Sequence, residues 1–143
     1  MLKTSIIHPI LIGSLAAAGH GDQILLADSN YPSKTHKSLG AEIIYLNLAA
    51  GILSIIEILP FLLEAIQVEA ATYMCMESGL ESPIISQYRS LLPKGLPILG
   101  VERQVFYDTA SSQSTSLVIV SGEQRLYANL LLTVGVVVPE KNK

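Results

Sequence analysis

His20 lies between Gly19 and Gly21, with Asp22 beside it and Asp28 closing the apolar run 24–27. Flanking glycines leave the backbone free and remove side-chain bulk, so such an imidazole is open to an approaching ligand. With carboxylates close by, the pattern suits general acid/base work at a mouth rather than in a core. The chain has only three histidines, one cysteine and no tryptophan, so grouped reactive side chains carry weight. Bland roles compete with this one. A histidine at a helix end can simply bond the last carbonyls, and Asp22 can satisfy turn donors. Asp28, at the end of a strand-like run, is a ready acceptor for substrate hydroxyls. One imidazole with two carboxylates makes a weak metal signature, and no metal is expected.

A second group follows Gly122-Glu123. Tyr127 and Asn129 flank a small residue, so an extended backbone would point both side chains the same way. A phenol and an amide, each able to give and accept hydrogen bonds, suit a polyhydroxylated ligand. Alone, the pair reads as well as sheet-edge packing and turn chemistry. Arg103 opens the stretch Arg103-Gln104-Val105-Phe106-Tyr107. A cation at a helix start opposes the helix dipole, which favours a ligand or partner role over a purely solvated one.

Alternating elements must position these groups. Helices are expected over 9–18, with Pro9 in the first turn and Gly19 ending it, and over 51–63, with Pro60 ending or kinking it. His8 stands where Ser or Asp would cap better. Further helices are expected from Ser82-Pro83 to Leu92 and over 103–110. Strands are expected over 23–27, 41–46, 65–76, 98–101, 114–120 and 130–138, with a loop over 29–38 and a turn at Pro93-Lys94-Gly95. Strands alternating with helices imply an α/β fold, a single layered domain over 1–143 with a mostly parallel or mixed central sheet flanked by helices. Ligands of such sheets sit beyond the strand ends, where Asp28 and the segment after Val120 fall.

Half of the 143 residues are hydrophobic and 15% are charged, a lean surface that self-association would cover. A net charge of −3 with scattered basic residues excludes a nucleic-acid role. Cys75 alone allows no internal disulfide and fits a reducing compartment. Two segments imitate membrane signals. Lys3, the apolar stretch 6–15 and Ala16-Ala17-Ala18 have a signal-peptide layout, but His8-Pro9 and the single basic charge speak against it. Residues 46–63 have the length of a span, yet Asn47, Glu57 and Pro60 interrupt them, and a buried helix is expected.

Taken together, Gly19-His20-Gly21-Asp22 with Asp28, Glu102-Arg103-x-x-Phe106-Tyr107, and Gly122-Glu123 leading to Tyr127-x-Asn129 resemble the RbsD/FucU family of sugar mutarotases. The similarity runs from Met1-Leu2-Lys3-Thr4 to Gly135-Val136. Gly21 and Arg103 are like fucose-type members, whereas ribose-type members tend to have threonine and histidine there. Residues 45–48 depart from the polar stretch of fucose-type members, and the helix after them is more apolar and reads as poorly capped. The resemblance implies a cofactor-free isomerase of a free monosaccharide such as L-fucose. In it His20 is the proton donor, and Asp28, Arg103 and Asn129 hold hydroxyls. Tyr127 is either a second acid/base group or an orienting one. It also implies a cytoplasmic homo-oligomer, a decameric ring with sites shared between neighbours. D-ribose pyranase activity and non-catalytic sugar binding are the alternatives.

Overall fold

The computed structural model describes residues 1–139. Its elements, in chain order, are α1 (Pro9–Ala17), β1 (Gln23–Ala27), β2 (Glu42–Tyr45), α2 (Ile55–Ala65), β3 (Val68–Met74), α3 (Ile84–Leu91), β4 (Ile98–Val101), α4 (Arg103–Ala110), β5 (Thr115–Val120) and β6 (Leu130–Val134). The strands form one sheet in the order β2-β5-β1-β6-β3-β4. β6 runs antiparallel to both its neighbours, while β2, β5 and β1 are mutually parallel, as are β3 and β4. The mixed α/β sheet expected from the sequence is therefore present.

Period-two alternation divides the core between the two faces. Ile24, Leu26, Leu117, Ile119, Leu130 and Leu132 meet the apolar sides of α1, α2 and α3. Leu25, Ala27, Val118, Val120 and Leu131 face the other way, against Tyr31 and α4 through Phe106 and Ala110. Because β6 is antiparallel, its beginning lies at the same sheet edge as the ends of β1 and β3. Asp28, which follows β1, and the segment leading into β6 thus converge there. No helix among the described residues is long and apolar enough to cross a membrane, and α2 has only 11 residues.

Several boundaries differ from expectation, each for a physical reason. α1 ends at Ala17 with Ala18 already extended, one residue before the glycine. His8 does cap it, its Nδ1 accepting from the Leu11 N–H at 3.2 Å. α2 begins at Ile55 rather than 51, and it is well capped. The Ser54 hydroxyl accepts from Glu57 N–H, and the Glu57 carboxylate accepts from Ser54 N–H at 2.7 Å. Residues before it instead fold against Gly122, whose N–H donates to Leu53 O at 2.7 Å. A Cβ on Gly122 would lie 2.3 Å from Ile52 O, so only glycine admits this approach.

Pro60 does not end α2. The helix continues to Ala65 because Ile55, Ile58, Leu59 and Leu62 bury one stripe on both sides of the proline, while Pro60 faces outward. β3 starts only at Val68 because Ala65 still belongs to that helix. β6 stops at Val134 although the apolar run continues to Val138. The ladder with its neighbours ends at Gln23 and Val68, the last backbone N–H groups donating to Asp22 O and Gln67 O, and Val136, Val137 and Val138 are exposed.

Candidate functional site

Asp28 and Asn129 form the floor of a cavity at the sheet edge. The Asp28 N–H donates to Asn129 Oδ1 at 2.8 Å, and Asn129 Nδ2 donates back to Asp28 Oδ2 at 3.0 Å. This reciprocal pair crosses between β1 and β6, and both side chains are buried. Asp28 Oδ1 also accepts from Asn30 N–H at 2.9 Å, an Asx turn that starts the following loop. Burial raises the Asp28 carboxyl above the ordinary carboxylate range, although the Asn30, Ala128, Tyr31 and Asn129 donors oppose the shift.

The cavity has a volume of about 210 Å³ and is lined by Asp28, Asn30 and Asn129, by Tyr31, Tyr107 and Tyr127, and by Met74, Arg103 and Leu126. That is below the roughly 300–1,000 Å³ usual for drug-sized ligands, and it fits a smaller molecule. Tyr31 packs edge-on to Tyr107 with ring centroids 5.6 Å apart, and its hydroxyl donates to His36 O at 2.8 Å. Burial pushes the Tyr31 phenol up, so it remains protonated and acts as a fixed wall and donor. The His36 ring lies against Tyr107, tilted by 47° with ring centroids 4.6 Å apart.

Tyr127 reaches the cavity by a route the sequence does not suggest. It is not extended: its φ is +56°, the left-handed region. The expected extended Tyr-x-Asn segment is corrected accordingly. Tyr127 and Asn129 still line one cavity, because the chain turns through Tyr127 before β6 begins. Neighbours hold this conformation. Ser82 Oγ donates to Leu126 O at 3.1 Å, and the buried Tyr88 hydroxyl donates to Ala128 O at 2.6 Å. Below them Glu123 is buried. Burial raises its carboxyl, but the Arg125 side chain and backbone N–H lower it further, leaving it below the usual range. Arg125 binds it through Nε at 2.8 Å and Nη2 at 2.7 Å. Arg103, at the first position of α4, donates to the Tyr127 hydroxyl at 2.8 Å.

His20 stands elsewhere. It lies before β1, whereas Asp28 lies after it, and five strand residues at about 3.3 Å each keep them more than ~15 Å apart. The His20 side chain is exposed, with Nε2 3.1 Å from Glu69 Oε2 on β3. Within one chain, then, Asp28, Arg103, Tyr127 and Asn129 come together and His20 does not join them. Asp22 serves the turn, its Oδ2 accepting from Gly19 N–H at 2.8 Å. Gly21, at φ +87°, lies in the left-handed region that favours glycine. Among the described residues no three His, Cys, Asp or Glu side chains gather as a metal site.

Tyr31, Tyr107 and Asn30 line the cavity without standing out in the sequence as site residues. Two signals point to them. Tyr107 is four residues after Arg103 on a helix and so shares its face. Asn30 and Tyr31 follow Asp28 in a turn that folds back over the strand end.

Residues 1–137 match the model of the RbsD / FucU transport protein family. A curated relative, the fucose mutarotase of Bos taurus, is 35% identical over 145 residues, covering 95% of this chain and 93% of its own. Among solved structures, the fucose mutarotase of Streptococcus pneumoniae in complex with L-fucose aligns with a TM-score of 0.79 at 30% identity, over 96% of this chain and 100% of that one. RbsD of Bacillus subtilis complexed with D-ribose aligns at 0.83 with 25% identity, again over 96% and 100%.

Proposed function

This chain belongs to the RbsD/FucU family, and from that premise we propose that it is a mutarotase that interconverts the anomers of L-fucose. The observation that carries the reading is the small cavity where the Asp28–Asn129 pair faces Tyr127 and Arg103. Anomer exchange requires a proton on the ring oxygen and removal of the anomeric hydroxyl proton. The open-chain aldehyde then turns about its C1–C2 bond and recloses on its other face. Paired carboxylate and amide groups suit sugar hydroxyls, and a phenol and an imidazole suit the two proton transfers.

In this proposal Asp28, Asn129 and Arg103 hold hydroxyls, Tyr127 faces the reacting end, and His20 is the proton donor. Because His20 lies at the far end of β1 from its own cavity, it serves the cavity of a neighbouring copy. This requires a homo-oligomer, which we take to be a decameric ring in the cytoplasm. The exposed apolar side chains Ile7, Ile10, Leu48, Leu53 and Phe61 support assembly.

A second reading, D-ribose pyranase, is favoured by the alignment with the ribose-bound RbsD structure. Exchange NMR over L-fucose, D-galactose and D-ribose separates the two. The mutarotase reading expects the largest acceleration for α/β exchange of L-fucose. Faster pyranose–furanose exchange of D-ribose than fucose exchange would replace it with the pyranase reading.

A further inference from the structure

Arg103 separates the Asp28 cavity from a second one of about 620 Å³, lined in part by Met76, Glu77, Glu102 and Gln104, with Arg103 and Tyr127 common to both. A single guanidinium nitrogen, Nη2, donates to Glu77 Oε1 at 2.9 Å and to the Tyr127 hydroxyl at 2.8 Å. That nitrogen carries two hydrogens in the guanidinium plane, so the two acceptors use both and fix the orientation of the plane. A guanidinium cannot accept, so the phenol oxygen is the acceptor and the phenol hydrogen must be directed away from Arg103. The Arg103 Cζ also lies 5.6 Å from the Tyr127 ring centroid.

We propose that Glu77 is a positioning residue: by holding Arg103 it aims the Tyr127 hydroxyl proton into the Asp28 cavity. The inference rests on the mutarotase reading for its consequence, though not for its geometry. The backbone of Tyr127 is already held by Ser82 and Tyr88 through the carbonyls on either side. Those bonds leave the Tyr127 side chain and its O–H to be placed by other contacts, and Arg103 supplies one at the hydroxyl. Glu77 is itself presented by a tight turn in which Gly79 N–H donates to Met76 O at 2.8 Å and Met76 N–H donates to Leu80 O at 2.9 Å. The Glu77 side chain is 79% exposed, so its ion pair adds little to stability, and removing it acts on the geometry of Arg103 and not on the fold. Arg103 accordingly has two duties, toward Tyr127 as well as toward a sugar hydroxyl.

Two readouts test the proposal, one of them independent of turnover. Side-chain ¹⁵N NMR of Arg103 is expected to show a held Nη2 group that is displaced by Tyr127→Phe and becomes freely rotating in Glu77→Ala. In exchange assays, Glu77→Ala is expected to lower kcat about tenfold, with a rise in KM from the loosened Arg103 that is smaller than the fall in kcat, and Glu77→Gln, which retains an acceptor, to lose less. In a Tyr127→Phe background, Glu77→Ala is expected to cause no further loss. An Arg103 signal indifferent to Glu77→Ala would overturn the proposal, and so would an equal loss in the Tyr127→Phe background. A rise in KM at unchanged kcat would overturn it as well. If the Arg103 signal responds as expected but the unsubstituted protein accelerates no sugar's exchange, the positioning role stands and the mutarotase reading fails.

Discussion

The surroundings of Asp28 disfavour the charged form of its carboxyl. Burial raises its carboxyl in the folded protein above the unfolded value, so the folded state binds this proton more tightly. Its protonated form therefore stabilises the fold at low pH, and that contribution is lost as pH rises through the ordinary carboxylate range to the raised value. Glu123, held low, acts in the opposite sense, its contribution disappearing as pH falls. Denaturant melts across this range should show the Asp28 component in the unsubstituted protein and not in Asp28→Asn. Identical pH profiles for the two would contradict the assignment. At the same scale, His20→Ala is expected to lower the exchange rate by about 10²–10⁴-fold while sugar binding persists, as loss of a general acid does. Titration of L-fucose into the variant checks the binding half of that expectation.

At the scale of elements, α3 acts as a brace for the site. Tyr88 is fully buried, and its hydroxyl meets Ala128 O one residue beyond the left-handed Tyr127. Tyr88→Phe leaves that carbonyl unpaired and should cost about 1–3 kcal/mol of stability in chemical unfolding. It should also weaken exchange by loosening Tyr127, without altering a cavity residue. Short continuous apolar runs made the central strands of this sheet legible, and with them the location of Asp28 at a strand end. The conformation of Tyr127 was not, because the side chains that fix it, Ser82 and Tyr88, lie about 40 residues away in the chain. The start of α2 was legible in principle. Ser54-x-x-Glu57 is a capping box, but the apolar run ahead of it masked the signal. The end of β6 was not, since it depends on where the neighbouring strands run out.

For the whole molecule, the separation of His20 from Asp28 is the decisive feature. A strand that places them at opposite sheet edges leaves the cavity of each chain with Asp28, Arg103, Tyr127 and Asn129 but without His20. Under the proposed function an assembly of copies would supply the missing His20, and light scattering should return the mass of a ring, with a monomer mass contradicting it. Mixed assemblies test the sharing itself. Co-expressed His20→Ala and Asp28→Asn chains should recover exchange that neither variant has alone, because some junctions then unite an intact His20 with an intact cavity. A mixture as inactive as its parents would return His20 to a local role.

Catalysis of sugar-anomer exchange in this cavity is checked by saturation transfer between the α and β anomeric proton signals of L-fucose. Substoichiometric protein should transfer saturation between the two signals at a rate proportional to its concentration, and Tyr127→Phe should lower that rate. Rates indistinguishable from those of the sugar in buffer, with L-fucose present well above the protein concentration, would mean that the cavity does not catalyse exchange.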